Sequence, residues 1–139
     1  MNLDLEKEAQ LIKDYILEQI RKQNEKVKLL EIGFQIDQGG LVKAYFDTDE
    51  NAEPEGSWTM SLEDNILERL HWPDLCEEIG YDEMAPKIGE LLKSIIFEIK
   101  KIGGFDDMPK HSNCEFGVEE INGCYGWPAY DDRGNENRL

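Results

Sequence analysis

The chain has 139 residues, 40% of them apolar, with 31 acids against 15 bases and a net charge of −16. That length suits one domain with a real core, and the periodic apolar stretches exclude global disorder. The charge excludes direct nucleic-acid binding, because phosphates would be repelled, and no stretch approaches the roughly 18–20 uninterrupted apolar residues of a membrane span.

The N-terminus, MNLDLEKEAQ, mixes acids and bases and has no basic start followed by an apolar run. No secretory signal is therefore expected, and the expected compartment is the cytoplasm. The first element predicted is a helix, because Leu5, Ala9, Ile12, Ile16 and Ile20 recur at spacings of four and three, with Tyr15 widening the stripe. Glu18 and Lys22 stand at the favourable i, i+4 offset on its other face.

A hairpin follows. Leu30, Ile32, Phe34 and Ile36 alternate with Glu31, Gly33 and Gln35, and Val42, Ala44 and Phe46 alternate on the return. Asp37-Gln38-Gly39-Gly40 supplies the turn. Ser57–Met60 is predicted as a third strand beyond the acidic loop 49–56. Ser61 reads as an N-cap, with Asp64 three residues on, for a helix whose apolar face is Leu62, Ile66, Leu67 and Leu70. Pro73 stops that helix, and a short turn around Leu75, Cys76 and Ile79 ends at Gly80.

The longest predicted helix begins near Asp82 or Glu83, with Pro86 near its first turn. Its stripe is Ile88, Leu91, Leu92, Ile95, Ile96, Ile99 and Ile102, and Gly103-Gly104 ends it. Glu115–Ile121 reads as a strand, Asn122-Gly123 as a turn, and Cys124–Trp127 as a short returning strand. The fold expected is α+β: an N-terminal helix and an antiparallel meander of three to five strands, packed on one face by the long helix. Residues 1–130 form one domain, with 131–139 a frayed polar tail.

Three cysteines, Cys76, Cys114 and Cys124, show no framework spacing and read as small buried hydrophobes. His71 and Cys76, or His111 with Cys114 and Cys124, offer only one workable short spacing for zinc, where two couples are the rule. Asp47–Glu53 begins like a calcium loop, but Ala52 and Trp58 occupy the positions that need Gly and a bidentate Glu. Neither a phosphate-binding glycine loop nor a nucleophile elbow is present, so no metal, cofactor or catalytic residue is assigned.

The distribution of charge is more informative than its total. Residues 47–83 hold thirteen acids and a single base, Arg69, while residues 1–46 are nearly balanced. Self-repulsion at that density destabilises a compact state, which calls for an explanation beyond solubility. A surface that docks on a basic protein supplies one: Asp47, Asp49, Glu50, Glu53, Glu55, Asp64, Glu68, Glu77 and Glu78 would steer the partner, and Trp58 would anchor it. Trp72 and Trp127 are assigned to closing the core.

The order helix, meander, helix, strand, the stretch Glu53-Pro54-Glu55-Gly56-Ser57-Trp58-Thr59, and the run Phe46-Asp47…Gly56-Ser57-Trp58 resemble bacterial immunity proteins that neutralise polymorphic or contact-dependent toxins. The resemblance implies a cytoplasmic antitoxin without catalysis, bound to one cognate toxin domain. The charge makes a basic partner the expectation, a nuclease among the candidates, with the chain itself a monomer or weak homodimer. Two other classes stay open. One is a small enzyme or ligand-binding domain with a site between sheet and helices, for which His71, Asp47 and Cys114 are the available members. The other is an oligomeric scaffold joined through the stripe of helix 84–102 or an open sheet edge.

Overall fold

A computed structural model of the chain describes residues 5–36, 40–52, 66–68, 70, 80–121, 123, 125–127 and 138–139. The first helix, α1, runs Leu5–Arg21 and buries Ile12, Tyr15, Ile16 and Ile20, the stripe its spacing dictates. Glu18 and Lys22 pair at 3.8 Å on its exposed side, a contact worth a few tenths of a kcal/mol at most.

Strands β1 (Val27–Gln35) and β2 (Leu41–Asp47) pair antiparallel, with Leu30 opposite Phe46, Ile32 opposite Ala44 and Phe34 opposite Val42. The expected alternation is thus realised, and these residues share the core face. The long helix, α2, spans Tyr81–Lys101 and buries Met84, Ala85, Ile88, Leu92, Ile95, Ile96 and Ile99. It packs on the same sheet face as α1, and Lys13 and Glu98 form an ion pair of 2.9 Å between the helices. The α2 stripe that could have joined subunits is therefore spent inside the domain. Ile102, assigned to that stripe, is instead the C-cap residue and is 60% exposed.

The helix ends as its glycines require. Gly103 takes φ +80, a conformation that strains any residue with a Cβ. Its N–H donates to the Lys100 carbonyl at 3.1 Å, and the Gly104 N–H to the Ile99 carbonyl at 2.8 Å, the two bonds of a Schellman motif. Pro86 lies deeper than expected, because the helix starts at Tyr81. Its missing N–H forfeits a bond to the carbonyl four residues back.

The sheet corrects the expectation of a pure antiparallel meander. Its order is β3-β2-β1-β4-β5, and β4 (Lys110–Glu120) runs parallel to β1, with Leu30 opposite Phe116 and Ile32 opposite Val118. The reason is directional. β3 (Ile66–Leu67) lies antiparallel to β2 and so points the same way as β1; α2 then carries the chain back across one face, and β4 must enter parallel to β1. β5 (Gly126–Trp127) pairs antiparallel with β4, as expected of the Asn122-Gly123 turn.

β3 is itself a correction. Ile66 and Leu67 were assigned to a capped helix, yet they pair with Lys43 and Val42. The remaining apolar members of that helix face, other than Leu70, lie outside the described residues, as does the predicted strand Ser57–Met60. Arg138 and Leu139, in the segment expected to fray, return to β4: Arg138 bridges to Glu115, and the Leu139 N–H donates to the Cys114 carbonyl at 2.9 Å.

Trp127 closes one end of the core. It is 6% exposed, its ring centroid lies 5.0 Å from that of Phe116, and the Lys93 ammonium sits over the ring, 5.0 Å from its centroid. Tyr125, two residues earlier, donates its hydroxyl to Glu90 on α2 at 2.5 Å and lays its ring over Gly89. A Cβ at Gly89 would overlap that ring. Gly89→Ala should gain about 1 kcal/mol of helix propensity and lose about 1–3 kcal/mol to the overlap. The net expectation is a lower urea midpoint together with a shifted Tyr125 ring resonance; an unchanged ring resonance would contradict the contact.

Candidate partner-binding surface

The acidic block starts where β2 ends. Asp47, the last residue of β2, lies opposite Leu29 at the sheet end where β1 begins. Its Oδ1 accepts the N–H of Asp49 at 3.1 Å; the Oδ1 of Asp49 accepts the N–H of Asn51 at 2.9 Å, and the Asp49 carbonyl accepts the N–H of Ala52 at 2.9 Å. Two successive Asx turns therefore shape residues 47–52 from within, which is what Asp does well at a turn. Asp49 and Glu50 stand exposed, and Asp47 is half-buried.

Of the ten residues assigned to the surface, the structure brings together Asp47, Asp49 and Glu50. Glu68 follows Leu67, which pairs with Val42, so it lies at the opposite end of β2, roughly 17–20 Å away for a strand of that length. Those four described acids do not form one cluster. Glu53, Glu55, Trp58, Asp64, Glu77 and Glu78 lie outside the described residues. Asp82 and Glu83 occupy the first turn of α2, where the helix dipole favours acids whatever binds the protein.

Other acids extend the charge in ways the linear block did not reveal. On the sheet face turned away from the helices, the ladder sets Asp47, Leu29 and Glu115 side by side, then Tyr45, Glu31 and Gly117, then Lys43, Gly33 and Glu119. Tyr45 is 40% exposed, while Leu29 and Lys43 are nearly buried. The period-two alternation of β1 already places Glu31 on this face; Glu115 and Glu119 join it only because β4 is the neighbour of β1.

The residues weighed for other chemistry are not assembled for it. Cys114 is buried, and burial pushes its thiol up to about 11, against the downward pull of Lys110 and Lys28. It is a protonated, inert group near neutrality. Because the folded value lies above the ordinary value of 9.0, burial of the neutral thiol favours the fold below that value, and this contribution is lost as pH rises toward 11. Iodoacetamide at pH 8 should therefore leave Cys114 unmodified in the folded protein and alkylate it in urea, as read by peptide mass mapping. Rapid native alkylation would contradict the burial.

His111 contributes its Nε2 to the Thr48 carbonyl at 3.1 Å, and β1 separates Cys114 from Asp47 in the sheet. His71, Cys76 and Cys124 lie outside the described residues. Among the described residues no group of three or more His, Cys, Asp or Glu could hold a metal ion, and no helix is long and apolar enough to cross a membrane. A cleft of about 350 Å³ opens between the ends of α1 and α2, with Arg21 and Asp107 on its rim. Of its apolar lining, Ile20 and Met108 are 5% and 4% exposed, and Leu17 is partly buried.

The feature that sequence reasoning missed is the start of β4. It begins at Lys110 rather than Glu115 and carries an excursion at 111–114. Ser112-Asn113, a turn-forming pair inside an otherwise strand-like run, was the available signal.

No protein-family model matches the chain, and comparisons with curated proteins and with solved structures give no significant match.

Proposed function

We propose that the protein is a non-catalytic acidic binding protein that neutralises a basic protein partner, in the manner of an immunity protein inhibiting a cognate bacterial toxin. The observation that carries this reading is the concentration of thirteen acids against one base in residues 47–83. Support comes from its leading edge, where Asp49 and Glu50 stand exposed on a loop shaped by its own Asx turns at the end of a core strand. Carboxylates held on a rigid scaffold steer a basic partner into place and reject acidic ones, and they do so with strong salt dependence. The inert state of Cys114 adds nothing to a catalytic alternative.

Affinity capture of the tagged chain from its native lysate at low salt, with stepwise salt elution, tests the reading. Recovery of one basic protein at one-to-one stoichiometry, released by salt, is the expected result. A partner that stays bound through high salt would assign the interface to apolar contacts and leave the acids as a solvating surface. Recovery of the chain alone would count against the reading.

A further inference from the structure

The excursion in β4 has a geometry that ordinary pairing does not need. Val27 pairs with Lys110 and Leu29 with Glu115, so four residues of β4 stand across from Lys28 alone. Asn113 at its tip takes φ 64, the one positive φ among the described non-glycine residues. The excursion is pinned from two sides: Lys28 Nζ donates to the Asn113 carbonyl at 3.3 Å, and the Leu139 N–H to the Cys114 carbonyl at 2.9 Å. It then reaches beyond β1, where His111 Nε2 meets the Thr48 carbonyl at 3.1 Å, across 63 positions of sequence.

We infer that this bulge is a clamp and that His111 is the positioning residue of the acidic loop. The Asx turns set the shape of residues 47–52 but not its direction relative to the sheet. Among the described residues, the Thr48–His111 bond is the side-chain hydrogen bond that ties loop residues 48–52 to another element. Bulges recur where a strand must re-aim a side chain, and this one carries an imidazole past the start of β1 to the loop. A carbonyl only accepts, so Nε2 carries the hydrogen. The clamp's part in binding rests on the function proposed above; its part in ordering the loop does not.

Backbone ¹⁵N relaxation of the free, full-length protein tests the clamp. In His111→Ala, order parameters at Asp49–Asn51 should fall from about 0.85, typical of rigid backbone, to below about 0.6. His111→Gln, which keeps an N–H donor at similar reach, should restore them, while Ile32 and Phe34 on β1 stay rigid in both. Unchanged values in His111→Ala would overturn the clamp. With the basic protein captured by the tagged chain as analyte, His111→Ala should dissociate about tenfold faster at an unchanged association rate, since no acid is removed. A mobile loop with unchanged dissociation would overturn its role in binding. Failure to capture any basic protein would remove that role together with the functional reading, and relaxation would still judge the clamp alone.

Discussion

Replacing Phe116 with Ala should lower the unfolding free energy by about 3–5 kcal/mol, the range for deleting a buried aromatic ring. Phe116 is fully buried on β4, opposite Leu30 of the central strand. Its ring centroid lies 5.0 Å from Trp127 and 5.6 Å from Phe97, the latter edge-on at 83°. These rings join α2, β4 and β5, so truncation removes transfer free energy, two aromatic contacts and the support of Trp127 together. A domain of this size has about 5–15 kcal/mol in total, and the variant would populate unfolded chains. Phe116→Leu keeps most of the volume and should lose less. Urea unfolding followed by tryptophan fluorescence measures both, and a loss under 1 kcal/mol for the Ala variant would contradict the aromatic cluster.

The second large effect concerns association. Asp49→Asn, Glu50→Gln, Glu53→Gln and Glu55→Gln combined should slow association with the captured basic partner by about tenfold or more at low salt, with a smaller change in dissociation. The substitutions are chosen so that charge changes and shape does not. Asn at 49 keeps the side-chain oxygen that accepts the Asn51 N–H, and Asp47, whose carboxylate accepts the Asp49 N–H, is left in place. An unchanged association rate would show that these acids are solvating rather than steering. This pattern is the reverse of that expected for His111→Ala, so charge and positioning can be read separately.

Much of the fold was legible because it is local. The three- and four-residue spacing of Ile12, Ile16 and Ile20, and of Ile88, Leu92, Ile95, Ile96 and Ile99, identifies both helices and their buried faces. The alternation of Leu30, Ile32 and Phe34 identifies the strand at the centre of the sheet. What was not legible depends on partners distant in sequence. Nothing within residues 110–120 says that β4 lies beside β1, or that it is parallel; that follows from the direction in which β3 and α2 deliver the chain. Ile66 and Leu67 have helical spacing with Leu70, yet the edge of β2 at Val42 and Lys43 recruits them as a strand.

The candidate surface divides in the same way. The acidity of the block and the turn-forming habit of Asp47 and Asp49 were readable from residue type. The separation of Glu68 from that loop, the addition of Glu115 and Glu119 to the far sheet face, and the tether from His111 all required the strand order. An excursion that breaks period-two alternation hides the strand it belongs to, which is why the predicted strand begins only at Glu115.

The most direct test of electrostatic partner binding is the association rate of the captured complex measured across ionic strength, from about 10 mM to about 0.5 M, where the Debye length shrinks from about 30 Å to a few ångströms. The expected result is a rate that falls steeply with salt while dissociation changes little. A rate that stays flat across that range would contradict a binding surface built on residues 47–83.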